Sequence, residues 1–223
     1  MTLDASRRPR VGLFVTCLVD VMRPAVGFAA VRLLETAGCQ VFVPRAQTCC
    51  GQPAYNSGDR NDAKALALAV IASFEGFDYV VAPSGSCAAM LKLHYPKLMY
   101  GDAANAARAT AFAERVHELT SFLVDVRGLE AAPGAPAGRI ACHDGCAGLR
   151  ELGIREQPRK LIAGMPGTEV VELANRDTCC GFGGLFCVKY PDVSNSMVGG
   201  KTAAVAAAAP ATLAARQLAS PLT

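Results

Sequence analysis

Two adjacent cysteines followed by a glycine occur twice in this chain. They are Cys49-Cys50-Gly51 in QTCCGQPA and Cys179-Cys180-Gly181 in DTCCGFGG, 130 residues apart. Cys17 and Cys146 are separated by 129 residues, so three cysteine positions recur at nearly one offset. Such a recurrence reads as an internal duplication. It constrains the fold more than any other feature, because each half must bring a lone cysteine and a later cysteine pair to one place.

The local patterns around these cysteines predict an alternation of strands and helices. In the first half, residues 11–16 (VGLFVT) read as a short buried strand ending at Cys17. Residues 24–37 read as a helix that opens on Pro24 and stops before Gly38. A strand over 40–43, a helix over 59–75 capped by Asp59, and a strand over 78–82 follow, and PSGSC then leads into a short helix toward Leu98. Strand, helix and strand joined by short turns is the signature of an α/β layer with a mostly parallel sheet. In the second half, RIAC (139–142) and TEVVEL (168–173) read as strands that each precede cysteines. The expected architecture is two duplicated Rossmann-like α/β domains, 10–126 and 139–223, joined by a Pro/Gly/Ala-rich linker over 127–138. The offset of 130 carries Cys87 onto Gln217, and the Ala-rich tail reads as a helix interrupted or ended near Pro210, then a frayed end, with no final strand. The second copy is therefore expected to be incomplete at its C-terminus.

At 52% hydrophobic and 18% charged residues, the chain can bury a sizeable core. A net charge of +3 without aromatic-basic stripes argues against nucleic acid as a partner. No signal peptide or charge-free membrane span is read, so the expected location is the cytoplasm, with peripheral membrane association compatible with the sequence. Ten cysteines in a reducing compartment point to metal ligation or redox work rather than to structural disulfides. GxGxxG, P-loop and GxSxG motifs are absent, which leaves dinucleotide, nucleotide and Ser-hydrolase chemistry without their signatures.

The candidate ligands of the first half are Cys17, Cys49, Cys50 and Cys87, each at or just beyond the carboxyl end of an expected strand. In open parallel sheets those ends gather at one edge, where ligands bind. Four thiolates without carboxylates suit zinc or an iron–sulfur cluster. Adjacent Cys49 and Cys50 weigh against mononuclear zinc, whose knuckles space their cysteines by two to four residues. A dithiol redox pair and plain structural thiols remain as alternatives. Gly51 and Gly181 free a backbone N–H beside each pair. The second half offers Cys146, Cys179 and Cys180, with Cys142, Cys187 and His143 as further candidates for a fourth ligand. Cys39 reads as a buried thiol, and His94 and His117 as surface or core-edge residues. Ser84 and Ser86 read either as hydrogen-bond partners of the first site or as a helix cap.

These residues resemble the CCG, or cysteine-rich, family of iron–sulfur oxidoreductase subunits. The resemblance rests on FVTCLVD, CCGQPAYNSG, PSGSCAAMLK, CHDGC, ELTSFLVD and DTCCGFGGLFCVKYPDVSNSMV, over about residues 10–201. Within the family, the chain is similar to the LutA/YkgE/LldE type of small subunit in L-lactate utilisation complexes. That implies an iron–sulfur electron-transfer subunit, not autonomous as an enzyme, in a complex oxidising L-lactate to pyruvate. It also implies a [4Fe-4S] cluster at the first site, a second cluster at the other, and partner subunits that include a ferredoxin-like iron–sulfur protein. More distant relatives, the heterodisulfide reductase B subunits, hold clusters on paired CCG motifs in a pseudo-two-fold pair of α/β domains. Ser84 stands where those relatives have the first cysteine of a CxxC. The alternatives are a thiol or heterodisulfide reductase working through an open iron site, and a redox-inert structural metal module.

Overall fold

The structure is a computed structural model, and it describes residues 7–134 and 138–215. The first sheet forms from β1 (Arg10–Leu13), β2 (Gln40–Phe42), β3 (Tyr79–Ala82) and β4 (Val116–Glu118), all parallel, in the order β2-β1-β3-β4. Helix α1 (Cys17–Met22) starts at the first candidate ligand itself, and α2 (Pro24–Thr36) follows after a single residue. After β2 come α3 (Gln52–Ser57), which opens at the CCG turn, and α4 (Arg60–Ser73), whose Asp59 side chain caps it by accepting from the Asp62 N–H. Beyond β3, helix α5 (Gly85–Ala89) runs through a π-helical turn (Met90–His94) into α6 (Tyr95–Leu98). Helix α7 (Ala106–Glu114) returns the chain to β4, and α8 (Leu119–Ser121) passes into a second π-helical turn (Phe122–Val126).

Both faces of this sheet are covered, as an all-parallel sheet requires. Side chains alternate along each strand. Val80 and Ala82 pack with Phe14, Phe74, Tyr95 and Phe112 on one face, while Val11, Leu13 and Val81 pack with Leu34, Phe122 and Leu123 on the other. Each fully buried aromatic or branched side chain contributes about 1.5–3 kcal/mol. Cys39 is fully buried in the second of these clusters, as the sequence reading expects. His117 packs edge-on against Tyr79 and at a tilt against Phe122, and burial followed by the nearby Lys92 charge lowers its pKa to about 4.

The second sheet forms from β5 (Gly138–His143), β6 (Thr168–Val171) and β7 (Thr212–Ala215), also parallel, in the order β6-β5-β7. A π-helical turn (Ala147–Glu151), α9 (Glu156–Ala163), α10 (Leu185–Lys189) and α11 (Pro191–Ala208) complete it. The order β6-β5-β7 repeats β2-β1-β3 strand for strand. The expected absence of a final strand is corrected here. Helix α11 does stop before Pro210, with Ala209 left-handed at φ 45°, but Thr212–Ala215 then pairs along Ile140–His143. An alanine-rich stretch has helical propensity, and a central partner strand with open hydrogen-bonding groups overrides it. Gln217 lies outside the described residues, as do 135–137 of the expected linker.

The two halves meet where Gly85 passes Gly148. A Cβ on Gly85 would lie 2.9 Å from the Gly148 Cα. The joint continues through His94, whose Nε2 is 2.6 Å from Glu151 Oε2 and whose ring packs on Tyr55. Gly85→Ala is expected to destabilise the protein by about 1–3 kcal/mol through overpacking. Gly199→Ala, in α11 with open space around it, should be neutral or stabilising by up to about 1 kcal/mol. Urea-denaturation midpoints check this, and equal effects at the two positions would contradict the proposed joint.

Candidate metal centre

The parallel register of β1, β2 and β3 decides which side chains meet. Their carboxyl ends lie side by side, so the segments leaving them run over one edge of the sheet. The first carries Cys17, the second Cys49 and Cys50, and the third Cys87. All four thiols line one cavity of about 190 Å³, together with Thr16, Ser84 and Ser86. A single water needs only about 10–15 Å³, so the cavity has room for a polynuclear group. Its walls contain no carboxylate and no imidazole.

Local backbone geometry aims these thiols. Thr16 has φ 74° and ψ 143°, a conformation rare outside glycine. Its Oγ1 accepts from the Val19 N–H at 3.4 Å and so caps α1, which fixes the orientation of Cys17 at the helix start. Strain of this kind costs roughly 1–3 kcal/mol and persists where surroundings enforce it. Gly51 sits at φ 82° and Gly181 at φ 85°, so both CCG turns use the same left-handed glycine. At Gly181 a Cβ would lie 2.6 Å from the Ser194 carbonyl oxygen, which leaves no room for another residue. Behind the first site, the buried Tyr95 hydroxyl donates to the Cys50 carbonyl at 3.0 Å and anchors the pair from below.

The thiols share protons. Cys50 donates to Cys87 across 3.5 Å, and it also faces Cys49. Donation from Cys50, then the Gly51 N–H and the Cys17 thiol, lowers the Cys49 pKa to about 6 against the opposing effect of burial. Cys50, acting as donor to Cys49 and Cys87, is pushed up accordingly. Cys87 is lowered by Cys50 and then by the Ser84 and Ser86 hydroxyls. Those serines lie 3.3 Å from each other, and Ser84 makes no side-chain cap bond to α5. Of the two sequence readings for this turn, the geometry favours hydrogen bonding to the site. Cys17 is raised by partial burial and by the charge of Cys49. Four thiols this close resist ionising together, since the charge on one raises the pKa of another. A cation or cationic cluster would let all four ionise, because bound metal displaces thiol protons.

In the second half, Cys146 and Cys179 form a comparable contact. Burial, followed by donation to Cys179, raises Cys146 to about 11. The Gly181 N–H donates to Cys179 Sγ at 3.4 Å, and Cys180 is buried beside them. The further candidates are dispersed. Cys187 starts its own bond to the Gly184 carbonyl at 3.0 Å. Cys142 and His143 line a separate, largely apolar cavity with Leu33, Leu119 and Leu161. Asp144, in the same CHDGC segment, is held by a two-point ion pair to Arg159 at 3.1 and 2.7 Å, which fixes the turn that presents Cys146. All ten cysteines are free thiols. Among the described residues, no three His, Cys, Asp or Glu donors are placed to close on a single metal ion. Donors spread around a cavity suit a group several atoms across better than a mononuclear tetrahedral ion.

Phe182 and Gly184 also line the first cavity. The second CCG loop therefore covers the first cysteine site, a contact that sequence reasoning missed. FGG was visible as flexible backbone, but no local pattern says which surface it covers.

The sequence profile described as CCG, cysteine-rich domain, matches this chain twice, at residues 11–92 and 140–217. The chain belongs to the CCG cysteine-rich domain family. Each matched stretch contains one CCG turn and its preceding cysteine. The chain is 48% identical over 189 residues to lactate utilization protein A of Geobacillus sp. strain WCH70, covering 85% of this chain and 79% of that protein. It is 49% identical over 189 residues to the protein of that name from Macrococcus caseolyticus, covering 85% and 77%. With its counterpart in Bacillus subtilis strain 168 the identity is 44% over 196 residues, covering 88% and 82%. No helix among the described residues is long and apolar enough to cross a membrane.

The proton sharing predicts an uneven reactivity. In the metal-free chain, iodoacetamide labelling of Cys49 should be half-maximal near pH 6, while Cys146 stays slow at pH 8. Mass spectrometry of labelled peptides reads this out. A Cys49 midpoint at the ordinary cysteine value of about 8.5 would contradict the network.

Proposed function

We propose that this protein is an iron–sulfur electron-transfer subunit of a complex that oxidises L-lactate to pyruvate. The observation that carries the reading is the convergence of Cys17, Cys49, Cys50 and Cys87 on one cavity whose walls hold no carboxylate and no imidazole. It occurs in a chain 44–49% identical to lactate utilization A proteins. The four thiolates would hold a [4Fe-4S] cluster, which supplies one-electron transfer when bound. The chain's own groups tune that site. Ser84 and Ser86 donate to Cys87, and the Gly51 N–H donates toward Cys49, which stabilises sulfur charge. Phe182 adds an apolar wall to the same cavity. The second triad, Cys146, Cys179 and Cys180, would hold a second cluster with a ligand from outside the triad.

The two profile matches and the repeated strand order support an internal duplication. We assign units 10–126 and 139–223 joined by 127–138, related by a pseudo-two-fold. A cytoplasmic location, at most peripheral on a membrane, and a ferredoxin-like iron–sulfur subunit as electron partner complete this reading. One observation favours a second reading. The Cys146–Cys179–Cys180 triad has three thiols rather than four, which suits an open iron site of the thiol or heterodisulfide reductase type. Reduction of a disulfide substrate by the isolated chain would favour that reading over the relay.

Single Cys→Ser changes at Cys17, Cys49, Cys50 and Cys87 test the main reading. In anaerobically prepared protein, each should lower iron and sulfide per chain and abolish lactate-dependent electron transfer in the assembled complex. The loss should exceed the ~10–100-fold effect of removing an outer hydrogen-bond partner. Unchanged iron content and transfer in all four variants would refute it.

A further inference from the structure

A second cavity, of about 350 Å³, adjoins the cysteine site and shares Thr16, Cys17 and Cys49 with it. That volume lies in the range of small-molecule sites. It opens to solvent beside Cys17, the one cysteine of the ten that is exposed. Its polar groups are unevenly committed. Gln47 is used by the fold, since its Oε1 accepts from the Val15 N–H at 2.8 Å and its Nε2 donates to the Pro44 carbonyl at 3.1 Å. Arg45 and Asp20, by contrast, line the cavity and make no ion pair or side-chain hydrogen bond among the described residues. The Thr16 hydroxyl accepts from Val19 and keeps its own proton to donate. Val21 and Val43 supply an apolar wall, and both are exposed to solvent in the protein alone.

We propose that this cavity binds a small 2-hydroxy carboxylate, with Arg45 holding the carboxylate and Asp20 accepting from the hydroxyl. The inference rests on the lactate-oxidising reading above and adds to it that the organic acid docks on this chain, next to the metal ligands. An unpaired guanidinium is the group best matched to a carboxylate, since its planar fork makes two parallel hydrogen bonds. A carboxylate in the same cavity disfavours dicarboxylates and rewards a ligand that carries a hydroxyl donor. Thr16 donates to the ligand's remaining oxygen, and the valines face its short alkyl end.

Isothermal titration of the anaerobically prepared, iron-loaded chain with L-lactate, pyruvate and acetate tests the site. L-lactate should bind more tightly than pyruvate, and pyruvate more tightly than acetate. Arg45→Gln should weaken L-lactate at least about tenfold, the scale of losing one charge-assisted hydrogen bond, with Arg45→Lys in between. Asp20→Asn should narrow the preference for L-lactate over pyruvate. Both residues are at the surface, so iron content and the visible spectrum of each variant should match wild type. No L-lactate binding by the wild-type chain, or equal affinity in Arg45→Gln, overturns the proposal. If the same preparation carries iron and is reduced by lactate within the assembled complex, only this site fails and the relay reading stands. Absence of iron from the wild-type chain would instead count against the relay reading itself.

Discussion

Parallel alignment of three neighbouring strands is the constraint on which the rest of the structure depends. Because β2, β1 and β3 run the same way in register, three segments far apart in sequence leave the sheet at one edge. Cys17, Cys49, Cys50 and Cys87 meet there without any local sequence contact between them. Antiparallel pairing of any one strand would send its cysteine to the opposite edge. The buried aromatic layer of Phe14, Phe74, Tyr95 and Phe112 holds the register and anchors the Cys50 carbonyl through Tyr95. Packing on the sheet face and ligand placement at its edge are thus mechanically linked.

The second half does more than repeat the first. Its strands follow the same spatial order, and its CCG turn uses a glycine at nearly the same backbone angle. Yet its loop after Gly181 covers the first cavity with Phe182 and Gly184, and its helical turn meets α5 at a glycine–glycine contact. The halves therefore depend on each other at the site. A change at the Gly85–Gly148 contact would move Ser84, Ser86 and Cys87 together, since all belong to the same turn.

Much of this was legible in the sequence because the signals are local. Pro24 and Asp59 mark helix starts, Gly38 marks a stop, and short apolar runs before each cysteine mark strands. The helix over Pro24–Thr36 and the strand at Tyr79–Ala82 sit within a residue or two of expectation. The gathering of four thiols followed from strand-end logic rather than from any motif spacing. What the sequence hid was long-range. Thr212–Ala215 lies past Pro210 with no strand pattern of its own, and it forms a strand by pairing along Ile140–His143 of β5. The strain at Thr16 arises from a backbone angle that no propensity announces. The cover supplied by Phe182 depends on how the halves dock. Cys142 and Cys146 are four residues apart, yet one lines an apolar cavity and the other joins the CCG pair, because the first still belongs to a strand and the second has left it.

The central claim is that thiolates from three strand ends hold a polynuclear iron group in one cavity. Iron K-edge X-ray absorption on the anaerobically reconstituted chain tests it most directly. The account predicts iron surrounded mainly by sulfur, with a short iron–iron distance and an iron content per chain that both fall in Cys50→Ser. Iron with nitrogen or oxygen neighbours and no iron–iron distance, or a chain that takes up zinc in its place, would contradict it.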